Sequence, residues 1–193
     1  MSLWIPRGFF VMPILRSKKI TAFFTGNYWI DTNYRRQING LIDLAIEQNV
    51  RQFLCGMTLG FDQVVADILI ARRLPWTAVL PHPNIDRTWK TRQRSRFRKQ
   101  LALATNTVIL YPQGFHSARA FAIRQMVRKS DICLSIYTGT HWDAETQTTR
   151  NSPGDAIDLA IANNLLVYRF NPLQKIVWVT NPPQQLCLAL SFG

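Results

Sequence analysis

From residue 20 to residue 180, short continuously apolar runs alternate with segments that carry a single apolar stripe at helical spacing. The runs end at glycine or proline and are apolar on both sides, as strands covered on both faces are. These two observations predict an α/β protein: an open, mostly parallel sheet with helices on both faces, three layers deep.

The elements follow in order. Ile20–Thr25 ends at Gly26 and reads as a buried strand. Ile38, Leu41, Ile42, Ala45 and Ile46 form the i, i+3, i+4, i+7, i+8 stripe of a helix. Gln52–Cys55, closed by Gly56, is a second strand, and Phe61, Val64, Val65, Ile68 and Leu69 give a second helical stripe. Trp76–Leu80 is a third strand, stopped by Pro81 and Pro83. A basic helix from about Lys90 to Thr105 follows, with only Phe97, Leu101 and Ala104 apolar on one face. Thr107–Tyr111 is the fourth strand. Phe121, Ala122, Gln125 and Met126 place a helix before the fifth, Ile132–Tyr137. Ile157, Ala160 and Ile161 mark the last helix, and Leu165–Phe170 and Lys175–Val179 are the last strands. The pattern is Rossmann-like. Residues 1–18 form an apolar arm (Phe9, Phe10, Val11, Ile14, Leu15) expected to pack on the domain or on a second copy in a homodimer. The domain spans 19–180, and Pro182 and Pro183 set off a tail at 181–193.

Composition narrows the class. With 193 residues, 47% hydrophobic and 11% aromatic, the chain has the material for one sizeable core, which argues against disorder. No run approaches the roughly 18 apolar residues of a membrane span, and Arg16, Lys18 and Lys19 do not resemble a cleavage region, so the expected location is cytoplasmic. Cys55, Cys133 and Cys187 are scattered, as are His82, His116 and His141; metal ligands come in close pairs, so no metal site is expected.

In an open parallel sheet, ligands bind beyond the carboxyl ends of the strands. That directs attention to Gly26 and Asn27 after the first strand, and to Cys55-Gly56-Met57-Thr58-Leu59-Gly60-Phe61-Asp62 after the second. Gly56 and Gly60 would let backbone N–H groups approach a phosphate at a helix N-terminus, and Asp62 could accept from a ribose hydroxyl. A tight strand–helix turn with a dipole-compensating acid would look the same. Ser152, Pro153, Gly154 and Asp155 read as N-cap, N1, N2 and N3 of a helix starting at the same edge.

Several of these features together resemble the SLOG superfamily, which includes the LOG phosphoribohydrolases, DprA and YpsA-like proteins. They are Thr25-Gly26, the CGMTLGFD turn, Trp89 beside a polar helix, the RQMVRKSD stretch ending at Asp131, and the capped loop before the last helix. The YpsA-like branch is nearest, and the match covers roughly residues 20 to 170. The resemblance implies a nucleotide or nucleotide-derived ligand (AMP, NAD or ADP-ribose type), no required cofactor, and Arg124 or Arg128 as the phosphate-neutralising arginine. Asn27-Tyr28 replaces the family's His-Arg, and Asn151-Ser152-Pro153 replaces its GGT loop, with Pro153 removing an N–H donor. No Glu stands where LOG enzymes place theirs. The expected role is therefore binding or sensing, with no catalytic residue assigned; nucleoside monophosphate phosphoribohydrolase activity is the enzymatic alternative.

A second alternative comes from charge. The 23 Lys+Arg and 11 Asp+Glu give a net +12, and eleven cations fall between Arg87 and Lys129 with no acid between them. Trp89, Lys90, Arg92, Arg96 and Lys99 would then form a surface for single-stranded nucleic acid, as in DprA-like relatives. A solvated basic helix has the same composition.

Overall fold

The computed structural model describes residues 19–111, 118–138 and 153–181. Seven strands form one sheet: β1 (Ile20–Gly26), β2 (Val50–Cys55), β3 (Trp76–Leu80), β4 (Asn106–Ile109), β5 (Ile132–Ile136), β6 (Leu166–Asn171) and β7 (Ile176–Thr180). Among the described residues five α-helices connect them: α1 (Arg35–Glu47), α2 (Phe61–Ala71), α3 (Thr91–Ala102), α4 (Ala118–Arg128) and α5 (Pro153–Ala162). The sheet order is β4-β3-β2-β1-β5-β6-β7. Every pairing is parallel except β6 with β7. The predicted open, mostly parallel sheet is the one observed.

The helices divide between the two faces. Side chains of α1 and α2, with Phe97 of α3, share one core cluster with Ala22, Phe24, Phe53 and Leu134. Side chains of α4 and α5 share the other with Phe23, Leu54, Cys133 and Val167. Adjacent residues of one strand serve opposite layers, which is why the strands read as continuously apolar. Each fully buried Phe or Leu contributes about 1.5–3 kcal/mol.

Most element boundaries shift by one or two residues from the sequence reading, and those of α3 and β4 have a local cause. Lys90 is extended (φ −63°, ψ 150°) and its backbone N–H donates to the Gln93 side chain at 2.9 Å, so α3 starts at Thr91. The third helix ends at Ala102, and the fourth strand begins a residue earlier than predicted, with Thr105 N–H already donating to the Trp76 carbonyl (3.0 Å). The last strand runs antiparallel because only four residues, 172–175, separate it from β6, too few for a crossover. The arm at 1–18, the tail from 182 onward and Ser152 lie outside the described residues. Among the described residues, no helix is long and apolar enough to cross a membrane.

Between β1 and β5 the chain changes its direction of travel across the sheet: β2, β3 and β4 build out from one side of β1, and β5, β6 and β7 from the other. This switch point is where an open α/β sheet leaves a crevice at its carboxyl edge. Asp131 fastens the opposite edge, accepting from Thr21 N–H at 3.0 Å while its own N–H donates to the Thr21 carbonyl at 2.8 Å. The Asp of the RQMVRKSD stretch therefore joins β1 to β5 far from the crevice.

Candidate functional site

Three connections end at the carboxyl edge of the sheet, and their described residues form the candidate site. The first is the turn after β1. Asn27 N–H donates across the switch point to the Ile136 carbonyl (3.3 Å), and Ile30 N–H closes a turn onto the Asn27 carbonyl (3.1 Å). Ile30 is fully buried and anchors this turn, and Asp31 caps the next one by accepting from Asn33 N–H at 2.8 Å. The turn thus presents its two middle residues to solvent: Tyr28 is 72% exposed and Trp29 42%. The Trp29 ring meets Tyr34 edge-on, centroids 5.9 Å apart.

The second connection is the glycine turn after β2, and its special residues are occupied internally. Gly60 has φ +83°, and a Cβ there would stand 1.7 Å from the Tyr28 carbonyl oxygen. At Gly26 a Cβ would stand 2.7 Å from the Phe61 ring. Both glycines are explained by close approach within the fold. Met57 is left-handed (φ 61°), yet its side chain is fully buried in the α1/α2 core. Gly56 lies against the Asp62 carboxylate, where a Cβ would be 3.2 Å from Oδ2. That same oxygen accepts from the Thr58 N–H at 2.9 Å and from the Thr58 hydroxyl at 2.7 Å. The Cys55 thiol donates to the Asp62 carbonyl at 3.3 Å. Burial pushes the Asp62 carboxyl up; the two Thr58 hydrogen bonds and the Arg119 cation partly oppose this. Asp62 therefore turns back into its own loop, fastening it to the start of α2.

The third connection leads into α5, whose first turn holds Pro153, buried Gly154 and half-buried Asp155. On the α4/α5 side of the same edge, Ser135 is completely buried, flanked along β5 by Cys133 and Tyr137 of that layer's core. Its hydroxyl and the buried Oδ1 of Asn27 have no hydrogen-bond partner among the described residues.

The arginines of α4, the predicted Arg124 and Arg128 among them, separate by height. Residue 119 opens α4 near the crevice, close enough for its cation to act on Asp62. Arg128, in the last turn before β5, is about 13 Å further along the helix, at the opposite sheet edge. Arg124 is exposed at mid-helix. Of the basic-helix residues, Arg96 bonds Asp67 at 2.6 Å, Arg94 and Arg98 flank Asp86 at 3.6 and 3.7 Å, and Lys90, Arg92 and Lys99 stay exposed. Trp89 packs edge-on against Phe97, centroids 5.1 Å apart, and sits half-buried at the core margin. The sequence reading assigned no site role to Tyr28 or Trp29, and counted Arg119 only among the cations between Arg87 and Lys129. The available signal was two aromatics, Tyr28 and Trp29, two and three residues after the strand-ending Gly26. Among the described residues no group of three or more His, Cys, Asp or Glu side chains could hold a metal ion.

The arrangement is that of a Rossmann-like domain whose switch-point crevice is edged by solvent-facing aromatic rings and a cation. Solved structures of DprA share this fold. DNA processing protein A from Streptococcus pneumoniae superposes with a TM-score of 0.55 and 11% identity, over 78% of this chain and 50% of that one. The Helicobacter pylori protein, described for its single-stranded DNA binding mode, gives 0.53 and 10%, over 78% and 64%. This chain thus spans half to two thirds of their lengths. No protein-family model and no curated protein matches the sequence.

Proposed function

We propose that this domain binds single-stranded nucleic acid at the switch-point crevice, with bases stacking on Tyr28 and Trp29. The observation that carries the reading is the turn at 27–30, which holds two large aromatic residues in solvent although its flanks are tied to Ile136 and to buried Ile30. Exposed rings held rigidly beside a ligand crevice suit base stacking, which is tolerant of sequence. Charge supports it: Arg119 stands at the crevice, while Lys90 and Arg92 start α3 at the same edge. The β3 strand that precedes α3 is about 10 Å from β1, two strand spacings away. The DprA neighbours support the same reading through fold. The resemblance to the SLOG superfamily, and to its YpsA-like branch, belongs to this proposal.

The test is fluorescence anisotropy of the protein with a labelled 12-mer of deoxythymidine at two salt concentrations. Tyr28→Ala and Trp29→Ala should each weaken binding by about 5- to 150-fold, the range for one lost base stack of roughly 1–3 kcal/mol. Wild-type affinity in both variants would refute the stacking site. A second reading, a free nucleotide of the AMP, NAD or ADP-ribose type, rests on the buried unpartnered Asn27 Oδ1 and Ser135 hydroxyl. Such a ligand would raise the melting temperature equally at both salts and would compete with the oligonucleotide.

A further inference from the structure

On the outer surface, α2 and α3 border a groove of about 890 Å³ that runs along α3 from its first turn to Leu103. Its lining combines aliphatic carbon with cations. Ile70 and Leu103 line it, Leu103 being 61% exposed, and so do Arg35, Arg92 and Lys99. The one acid among the described lining residues, Asp67, is already committed: it accepts from Arg96 at 2.6 Å and from the Gln100 amide at 2.6 Å. Arg96 and Gln100 also donate to the Gln63 carbonyl, at 3.3 and 2.8 Å. This network fixes α3 on α2, so the groove is preformed and a partner need not order it. No carboxylate among the described residues pairs with Arg35, Arg92 or Lys99.

We infer that this groove docks an acidic amphipathic helix of a protein partner. Aliphatic side chains between two helices with a basic rim complement a helix carrying leucine-type residues at i, i+3, i+4 and i+7 and carboxylates beside them. Among the described residues no aromatic side chain lines the groove, so these residues offer no stacking surface of the kind a single strand uses. The groove shares Arg92 with the basic edge invoked for nucleic acid, and Leu103, at the other end of α3, separates the two.

The experiment uses the full chain and fluorescein-labelled synthetic helices: one of Leu and Glu at the stated spacing, one with each Leu replaced by Ser, and one with each Glu replaced by Lys. The Leu/Glu helix should bind saturably and about tenfold or more tighter than either control, as expected for one apolar anchor plus complementary charge. Leu103→Glu, at an exposed position, should weaken it by a similar factor. Arg92→Ala with Lys99→Ala should weaken it and flatten its salt dependence. Equal binding of the Ser helix, or no saturable binding of the Leu/Glu helix, overturns the inference. Binding of the deoxythymidine 12-mer that is lost equally in Leu103→Glu also overturns it, because that outcome gives the groove to nucleic acid.

Discussion

Replacing Gly60 by alanine tests whether the glycine turn serves the fold. The new Cβ would lie 1.7 Å from the Tyr28 carbonyl oxygen and 2.7 Å from its carbon, and the backbone stands at φ +83°. The conformation itself costs an alanine about 1–3 kcal/mol. Relieving the clash means moving main chain, which adds roughly 1–3 kcal/mol by analogy with overpacked cores. A total near 4 kcal/mol should lower the melting temperature by about 8–16 °C for a domain of this size. With a urea slope of about 2 kcal/mol/M, the midpoint should fall by about 2 M. The control is Gly40→Ala, where nothing lies within 4 Å of the added Cβ and the residue sits inside α1. That change should stabilise by about 0.5–1 kcal/mol. Urea titrations followed by circular dichroism measure both. If Gly60→Ala costs under about 1 kcal/mol, the close approach of Tyr28 does not constrain this turn and the argument fails. Because Tyr28 must also move, lost ligand binding in any Gly60 variant does not show that Gly60 touches ligand.

Gly26→Ala should cost about 1–3 kcal/mol through overpacking against the buried Phe61 ring. That cost should shrink in a Phe61→Leu background, and a double-mutant cycle with no coupling would show the contact to be unimportant. Asp62 has a folded pKa raised from 3.8, so the native state holds its proton more tightly than the unfolded chain does. Its contribution is therefore complete below pH 3.8 and declines as pH rises through the folded value. Asp62→Asn should remove that part of the stability–pH curve, seen by thermal melts from pH 3 to pH 8; an unchanged slope would contradict the burial argument. Burial also pushes the Cys55 and Cys133 thiols upward, so both should resist iodoacetamide in the folded protein and react on unfolding in urea. Rapid native labelling of either, read by peptide mass spectrometry, would show that its layer opens.

The architecture was legible in the sequence because each element's pattern reports its own burial. Strands covered by two helical layers must be apolar throughout, and helices lying on a sheet need one stripe. Phe23, Phe24, Leu41, Val65 and Leu134 were all readable in this way. So was the carboxyl edge of the sheet as the place to look for a site. What residues did at that edge was decided by neighbours far along the chain. Gly60 is a glycine because of the Tyr28 carbonyl, and Gly26 because of the Phe61 ring. Asp62 closes its own loop, Arg128 is carried to the far edge by the length of α4, and Trp89 is drawn onto Phe97. Strand order was equally hidden: nothing local in β1 or β5 says they are neighbours, although that pairing creates the crevice and puts Tyr28 and Trp29 at its rim. Periodicity encodes which side of an element is covered. Which atoms cover it depends on contacts between residues tens of positions apart, and these exist only once the layers have packed.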